Sequence, residues 1–115
     1  MPNGWFTWYQ VKEGDTLSGI ALYWFGNGTE PYWRRIWLAN RQAIGEDPNR
    51  IFAGQQLKLP MNFGIQCHIE DGDTLSQLAQ WVYGYGNAYW IITLANPGTI
   101  TDPNEISPSM WIWIP

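Results

Sequence analysis

Basic residues are absent from the second half of the chain. All six lysines and arginines lie before position 61, whereas the ten acidic residues divide equally between the two halves. The formal charge is therefore +1 for residues 1–60 and −5 for residues 61–115, which gives −4 in total. Because binding to phosphate backbones depends on clustered lysine and arginine, this distribution predicts that nucleic acid is not a partner.

Residues suited to catalysis are equally scarce. The single cysteine, Cys67, cannot form an internal disulfide and is compatible with a reducing compartment. The single histidine, His68, adjoins it in a predicted strand, where neighbouring side chains point to opposite faces and cannot form a nucleophile–base pair. Glu70, Asp71 and Asp73 share one loop and lack both the cleft of a two-carboxylate glycosidase and the spacing of a calcium loop. We interpret them as solvated residues and a helix cap, and predict a non-enzymatic protein without cofactor or metal.

Long apolar runs are also missing. No stretch approaches the roughly 20 residues that span a bilayer. The first ten residues have neither the basic segment nor the apolar run of a secretory signal. We therefore expect no membrane insertion and no signal peptide.

What the chain does contain is a stretch used twice. VKEGDTLSGIA occupies residues 11–21 and IEDGDTLSQLA occupies residues 69–79, so GDTLS recurs at an offset of 58. Gly14 and Gly72 suit a tight turn, because glycine tolerates a positive φ. Asp15 and Asp73 are the expected caps of the helices that follow.

Hydrophobic spacing and breakers predict the same order of elements in each half. In the first half they indicate a strand at 8–11, helices at 16–25 and from Thr29 or Glu30 to Asn40, a loop at 41–48 and a strand at 56–59. In the second half they indicate a strand at 67–70, a helix at 74–83, a second helix capped by Asn87 that ends at Asn96, and a last strand to Ile114. Tyr89 and Ile92 are expected to face inward.

The ordered pattern V-x-x-GDTL-x-x-I-A, a helix ending in L-A-N, and D-P-N-x-I-x-x-G-x-x-L-x-L-P resembles the LysM domain. The resemblance implies an α+β fold of two tandem βααβ units, each with a two-stranded antiparallel sheet and two helices on one side. It divides the chain into an aromatic lead-in at 1–8, a first repeat at 9–60, a short linker at 61–66 and a second repeat at 67–115. The disulfides that link repeats in eukaryotic LysM receptors have no counterpart here, which favours a bacterial or phage type.

The family's typical ligands are polymers that contain N-acetylglucosamine, such as peptidoglycan or chitin. By position, the resemblance assigns the glycan-binding grooves to Gly14, Asp15, Thr16, Leu17, Arg41, Gln42 and Ile44, and to Gly72, Asp73, Thr74, Leu75, Pro97, Gly98 and Ile100. The second loop has Pro97-Gly98 where the first has Arg41-Gln42, so the first groove is the favoured one. Asn40 and Asn96 are expected to hold these loops in place.

The nine tryptophans exceed what two small cores require. Trp24 and Trp33 lie on predicted core faces of helices. Trp111 and Trp113 alternate with isoleucines in the last strand, so both faces of this strand are apolar and its outer face needs a cover. Candidate covers are the lead-in from Trp5 to Trp8, Phe63, a protein partner, a second copy of the chain, or a sugar.

Two functions are compatible with these features. The first is a non-catalytic carbohydrate-binding protein that recognises an N-acetylglucosamine-containing cell-wall polymer. The alternative is a structural adaptor in a phage tail, baseplate or contractile injection assembly. Either reading implies cytoplasmic synthesis followed by action at the cell wall or within a phage-like particle.

Overall fold

The computed structural model describes residues 6–60 and 64–115, which form a mixed α+β structure. Two small antiparallel sheets and five α-helices make up these ranges. In chain order they are β1 (Phe6–Gln10), α1 (Leu17–Phe25), α2 (Glu30–Ala39), α3 (Arg41–Ile44), β2 (Gln56–Pro60), β3 (Ile65–His68), α4 (Leu75–Tyr83), a 3₁₀ turn (Gly86–Ala88), α5 (Tyr89–Ala95) and β4 (Trp111–Ile114). Trp5 and Phe63, two of the predicted covers, lie outside the described residues.

Each sheet pairs the first and last strand of its half of the chain. Strand β1 runs antiparallel to β2, with Phe6 opposite Pro60, and β3 runs antiparallel to β4, with Ile65 opposite Ile114. The predicted antiparallel pairing is confirmed. Strand β1 begins inside the stretch 1–8 that was expected to be a lead-in, and β3 lies two residues earlier than predicted.

The helix starts correct one prediction about capping. Thr16 and Thr74, not the aspartates before them, are the N-caps of α1 and α4. Their hydroxyl oxygens accept hydrogen bonds from the N–H groups of Gly19 at 3.0 Å and Gln77 at 3.1 Å. Each threonine thus satisfies one of the N–H groups that a helix leaves unpaired at its start.

Three other local predictions are wrong. The predicted loop at 41–48 begins with the one-turn helix α3. Asn87 does not cap α5, because it lies within the 3₁₀ turn and its amide donates to the Tyr85 hydroxyl. Tyr89 does not face inward, since 38% of it is exposed, whereas Ile92 is fully buried as predicted.

Two buried asparagines join helix ends to the last strand of each sheet. The Asn40 amide donates to the carbonyls of Ile36 and Lys58 and accepts from the Lys58 N–H. Asn96 makes the same three bonds with Ile92 and Trp113. The side chains of Asn40 and Asn96 therefore hold β2 and β4 against the helices. They were expected to fix the loops that follow the helices, and that prediction is wrong.

The two halves pack against each other through α2, which contacts β3 and α4. Trp37 and Trp81 meet edge to face at 5.1 Å, and the Arg34 guanidinium lies 4.6 Å from the Trp81 ring. Trp37 and Trp81, two of the nine tryptophans, thus pack between the two halves. None of the helices in the described ranges has the length and apolar character needed to cross a bilayer.

Candidate functional site

The turn before α1 is held by the carboxylate of Asp15. Gly14 adopts φ +88°, and the Asp15 carboxylate accepts hydrogen bonds from the Lys12 N–H at 2.8 Å and the Tyr9 hydroxyl at 2.7 Å. The Lys12 N–H, followed by the Tyr9 hydroxyl, lowers the pKa of Asp15, and the bond to Asp15 raises the pKa of Tyr9 to about 12. Asp15 therefore braces the turn through one carboxylate oxygen, Oδ2, which accepts both bonds.

The turn before α4 has the same frame with a different third partner. Gly72 has φ +88°, and Asp73 accepts from the Glu70 N–H at 2.8 Å. In place of a tyrosine, Arg41 of the first half donates two bonds to the Asp73 carboxylate, at 2.6 and 2.9 Å. Only 8% and 6% of the two side chains are exposed. Burial is the largest single influence and lowers the pKa of Arg41, but the hydrogen bond and the charge of Asp73, together with the charges of Cys67 and Glu70, outweigh it, so the pKa is raised overall.

A groove of about 250 Å³ lies beside the start of α4. One wall is the turn and first residues of the helix, and the other is the loop before β4, with the first residue of α5 at one side. Its lining residues are Asp73, Thr74, Leu75, Ser76, Tyr89, Pro103, Asn104 and Ile106. We call it the α4 groove.

The α4 groove combines an apolar floor with polar walls. Leu75 is buried and Ile106 half-buried, whereas Thr74, Ser76 and Asn104 are exposed. The first N–H groups of a helix have no partner within that helix, so the backbone at the start of α4 offers donors beside these hydroxyls. Such a surface suits a ligand that carries a methyl group, an amide and several hydroxyls.

The structure brings together only part of the set that the family pattern assigned to the second groove. Asp73, Thr74 and Leu75 line the α4 groove, but Pro97, Gly98 and Ile100 do not. Ile100 is buried, with 3% of it exposed, and Pro97 and Gly98 are exposed elsewhere on the loop. The wall opposite the start of α4 is instead formed by Pro103, Asn104 and Ile106, which lie further along the same loop.

The repeat itself could have identified this wall. Asp-Pro-Asn occurs at 47–49 and again at 102–104, followed two residues later by Ile51 and Ile106. In both copies the aspartate side chain accepts from the asparagine N–H, at 2.9 and 3.0 Å. The Asp-Pro-Asn loops at 47–49 and 102–104 are therefore a second duplicated frame, beside the repeated GDTLS turn.

The residues assigned to the first groove have different environments. Thr16 caps α1 with Leu17 buried behind it, and Ile44 is buried at the end of α3. Arg41 and Gln42 instead line a cleft of about 190 Å³, whose lining residues include none from Gly14 to Leu17.

The two tryptophans of β4 have different environments. Trp111 is 50% exposed, lines the same cleft as Gln42 and lies edge to face with His68 at 4.8 Å. Trp113 is half-buried against Gly64, where an added Cβ would lie 1.9 Å from the indole. The outer face of this strand is thus covered at Trp113 and open at Trp111.

The thiol and imidazole do not meet, as expected for neighbours in a strand. Cys67 is buried, and burial raises its pKa to about 12. His68 Nδ1 lies 2.9 Å from a Glu70 carboxylate oxygen. Over residues 6–60 and 64–115, no group of three or more His, Cys, Asp or Glu side chains is placed to hold a metal ion.

A short part of the chain matches the model of a sequence family. The model of the LysM domain matches residues 9–29, which span the end of β1, the Asp15 turn and α1. An esterase of Mycobacterium tuberculosis is 31% identical over 94% of this chain and 27% of the esterase. A secreted LysM effector of Zymoseptoria tritici is 39% identical over 58% of this chain and 61% of the effector.

Among solved structures, the spore cortex-lytic enzyme SleL of Bacillus megaterium is 28% identical over 97% of this chain and 23% of the enzyme, with a TM-score of 0.35. The chain spans about a quarter of the esterase and about three fifths of the effector.

Proposed function

We propose that this chain is a non-catalytic carbohydrate-binding module made of two tandem LysM-type units, which recognises N-acetylglucosamine-containing cell-wall polymers. The proposal rests on the α4 groove, in which the start of a helix and the loop before β4 form two walls about an apolar floor. The LysM match to residues 9–29 and the similarity to a LysM effector support the ligand class. A structural adaptor gains no specific support from these features.

The chemistry of the groove matches the N-acetyl sugar group by group. The acetyl methyl would lie on Leu75 and Ile106, and the Tyr89 ring would face the flat apolar side of a sugar ring. The amide and hydroxyls would pair with the backbone at the start of α4 and with Thr74 and Asn104. Asp73 would act indirectly, because its carboxylate is already bonded to Arg41 and to the Glu70 N–H.

The equivalent residues of the first half define a second candidate groove. Thr16 and Leu17 correspond to Thr74 and Leu75, and Asn49 and Ile51 correspond to Asn104 and Ile106. If both grooves bind one polymer, their linkage raises the overall affinity without new contacts. We assign the principal site to the α4 groove.

The matched asparagines test this assignment. Asn104→Ala should weaken binding of the N-acetylglucosamine tetramer about three- to tenfold, because one hydrogen bond from the side chain is lost. Isothermal titration calorimetry measures the change. Asn49→Ala, which removes the equivalent exposed amide from the first half, should change affinity less than twofold.

Several outcomes would contradict the proposal. Failure of the unaltered protein to bind the tetramer or peptidoglycan would exclude the function. Unchanged binding by Asn104→Ala would exclude the α4 groove, and a larger loss in Asn49→Ala would move the principal site to the first half.

A further inference from the structure

We propose a second ligand site in the cleft between the two sheets, which takes a saccharide that bears a carboxylate. The cleft has a volume of about 190 Å³ and lies between the two halves of the chain. It shares no lining residue with the α4 groove. Its lining residues are Trp8, Leu38, Ala39, Asn40, Arg41, Gln42, Ala43, Gln56, Lys58, His68 and Trp111. We call it the seam cleft.

Two exposed indoles are the main apolar surfaces of the seam cleft. Trp8 is 57% exposed and Trp111 is 50% exposed, one from the first strand and one from the last. Two exposed indoles that line one cleft form an apolar surface of the kind found at binding sites, unlike a single exposed ring elsewhere. Their flat, electron-rich faces suit the C–H face of a sugar ring.

Each indole has a nitrogen-bearing side chain directly across its sheet. Trp8 is opposite Lys58, and Trp111 is opposite His68. The Lys58 ammonium lies 5.9 Å from the Trp8 ring, and the His68 imidazole lies 4.8 Å from the Trp111 ring. A ligand that stacks on either indole therefore meets a hydrogen-bond donor or acceptor at its edge.

The charge of the cleft favours an anion. Among its described lining residues none is acidic, although the chain as a whole carries a net charge of −4. Lys58 is exposed and forms no ion pair with any residue in the two described ranges, so its ammonium can receive a carboxylate. Arg41 is neutralised by Asp73, and Glu70 faces His68 at the edge of the cleft. The ammonium group of Lys58 is thus the group that selects an anionic ligand. The exposed amide of Gln42 lines the same cleft and offers a further hydrogen bond.

This chemistry separates two polymers that the α4 groove alone would not distinguish. In peptidoglycan strands whose stem peptides have been removed, N-acetylglucosamine alternates with a sugar that carries a free lactyl carboxylate, whereas chitin carries no carboxylate. The inference rests on the proposed function for the choice of polymer, and it predicts that the seam cleft gives a preference for peptide-free peptidoglycan fragments over chitin fragments.

Two disaccharides of equal size test the inference. One is N-acetylglucosamine joined to N-acetylmuramic acid, and the other is di-N-acetylchitobiose. Lys58→Gln should weaken binding of the first about fivefold, the scale of one exposed charge pair, and leave the second unchanged. Lys12→Gln is the matched control, because Lys12 also lies over an aromatic ring, at 5.6 Å from Tyr9, but lies outside the cleft. Raising the salt concentration to about 0.5 M should reduce the preference, since screening weakens exposed charge pairs.

The indole resonances distinguish the two sites. The carboxylated disaccharide should shift the Trp8 and Trp111 indole N–H signals in nuclear magnetic resonance spectra, whereas chitobiose should shift the amides at the start of α4. Shifts at α4 without any at the indoles would overturn the seam cleft and leave the proposed function standing. Shifts at the indoles without any at the start of α4 would support the seam cleft and contradict the proposed binding at the α4 groove.

Two other results would overturn the seam cleft. One is an equal loss of binding in Lys58→Gln and Lys12→Gln. The other is a concentration-dependent dimer, seen by analytical ultracentrifugation, that disappears in Trp111→Ala, since the indole would then cover a second copy of the chain.

Discussion

At the scale of single residues, the two aspartates of the repeated motif share one hydrogen-bond partner and differ in another. Asp15 and Asp73 each accept the N–H of the residue three positions earlier, which closes the turn. The third partner differs, because a Tyr9 hydroxyl serves the first and Arg41 serves the second. The motif therefore dictates the turn, and residues outside it decide what else the carboxylate does.

The Tyr9 hydroxyl predicts a measurable pH effect. The pKa of Asp15 lies below its ordinary value of 3.8, so the stabilisation from its ionised form is complete above that value and is lost as the pH falls through the lower folded-state pKa. Tyr9→Phe should raise the pKa of Asp15 and move acid unfolding to higher pH. At neutral pH it should cost about 1 kcal/mol of the free energy of unfolding.

Carboxyl chemical shifts followed against pH, together with acid unfolding by circular dichroism, measure these changes. Tyr23→Phe is the control, because Tyr23 is 74% exposed, its ring centroid lies 6.3 Å from that of Tyr9, and it is not among the groups that lower the pKa of Asp15. An Asp15 pKa that is the same in Tyr9→Phe and the unaltered protein would show that the hydroxyl bond has no effect.

At the scale of elements, the buried pair between Arg41 and Asp73 joins α3 to the turn before α4. Both side chains are more than nine-tenths buried, so loss of one partner leaves an unpaired charge away from water. Arg41→Met should lower the free energy of unfolding by about 3–5 kcal/mol. Adding Asp73→Asn should restore part of this loss, because the remaining charge is removed and the acceptor for the Glu70 N–H is kept.

Urea unfolding measures the effect, and the chain supplies a matched control. Arg50 and Asp47 form a 3.9 Å pair whose side chains are 82% and 55% exposed, so Arg50→Met should cost less than about 0.5 kcal/mol. Equal costs for Arg41→Met and Arg50→Met would mean that the buried pair does not stabilise the junction of the halves.

The elements also show what local pattern can and cannot predict. The turn, helix and strand of each half follow from glycine, helical spacing and alternation, and the alternate strand residues Leu57, Leu59, Ile112 and Ile114 are buried. The caps were misassigned because threonine follows aspartate in GDTLS and either side chain can accept a helix N–H. The Arg41–Asp73 pair could not be predicted from local pattern, because it joins residues 32 positions apart in different halves.

At the scale of the whole molecule, two repeated frames form the walls of the α4 groove, and two unrepeated contacts join the halves. The start of α4 and the Asp-Pro-Asn loop have counterparts in the first half, whereas the pair of Arg41 with Asp73 and the contact of Trp37 with Trp81 occur between the halves. Residues 103–106 line the groove because the loop before β4 folds back against the start of α4. The spacing of residues in the sequence does not predict this path of the loop.

Titration of the ¹⁵N-labelled protein with the N-acetylglucosamine tetramer, followed by nuclear magnetic resonance, tests the central claim most directly. Saturable shifts should be largest for the amides of Leu75, Ser76 and Asn104, which line the α4 groove. Saturable binding with no shift at these three amides would contradict this claim, as would the absence of any saturable shift in the spectrum.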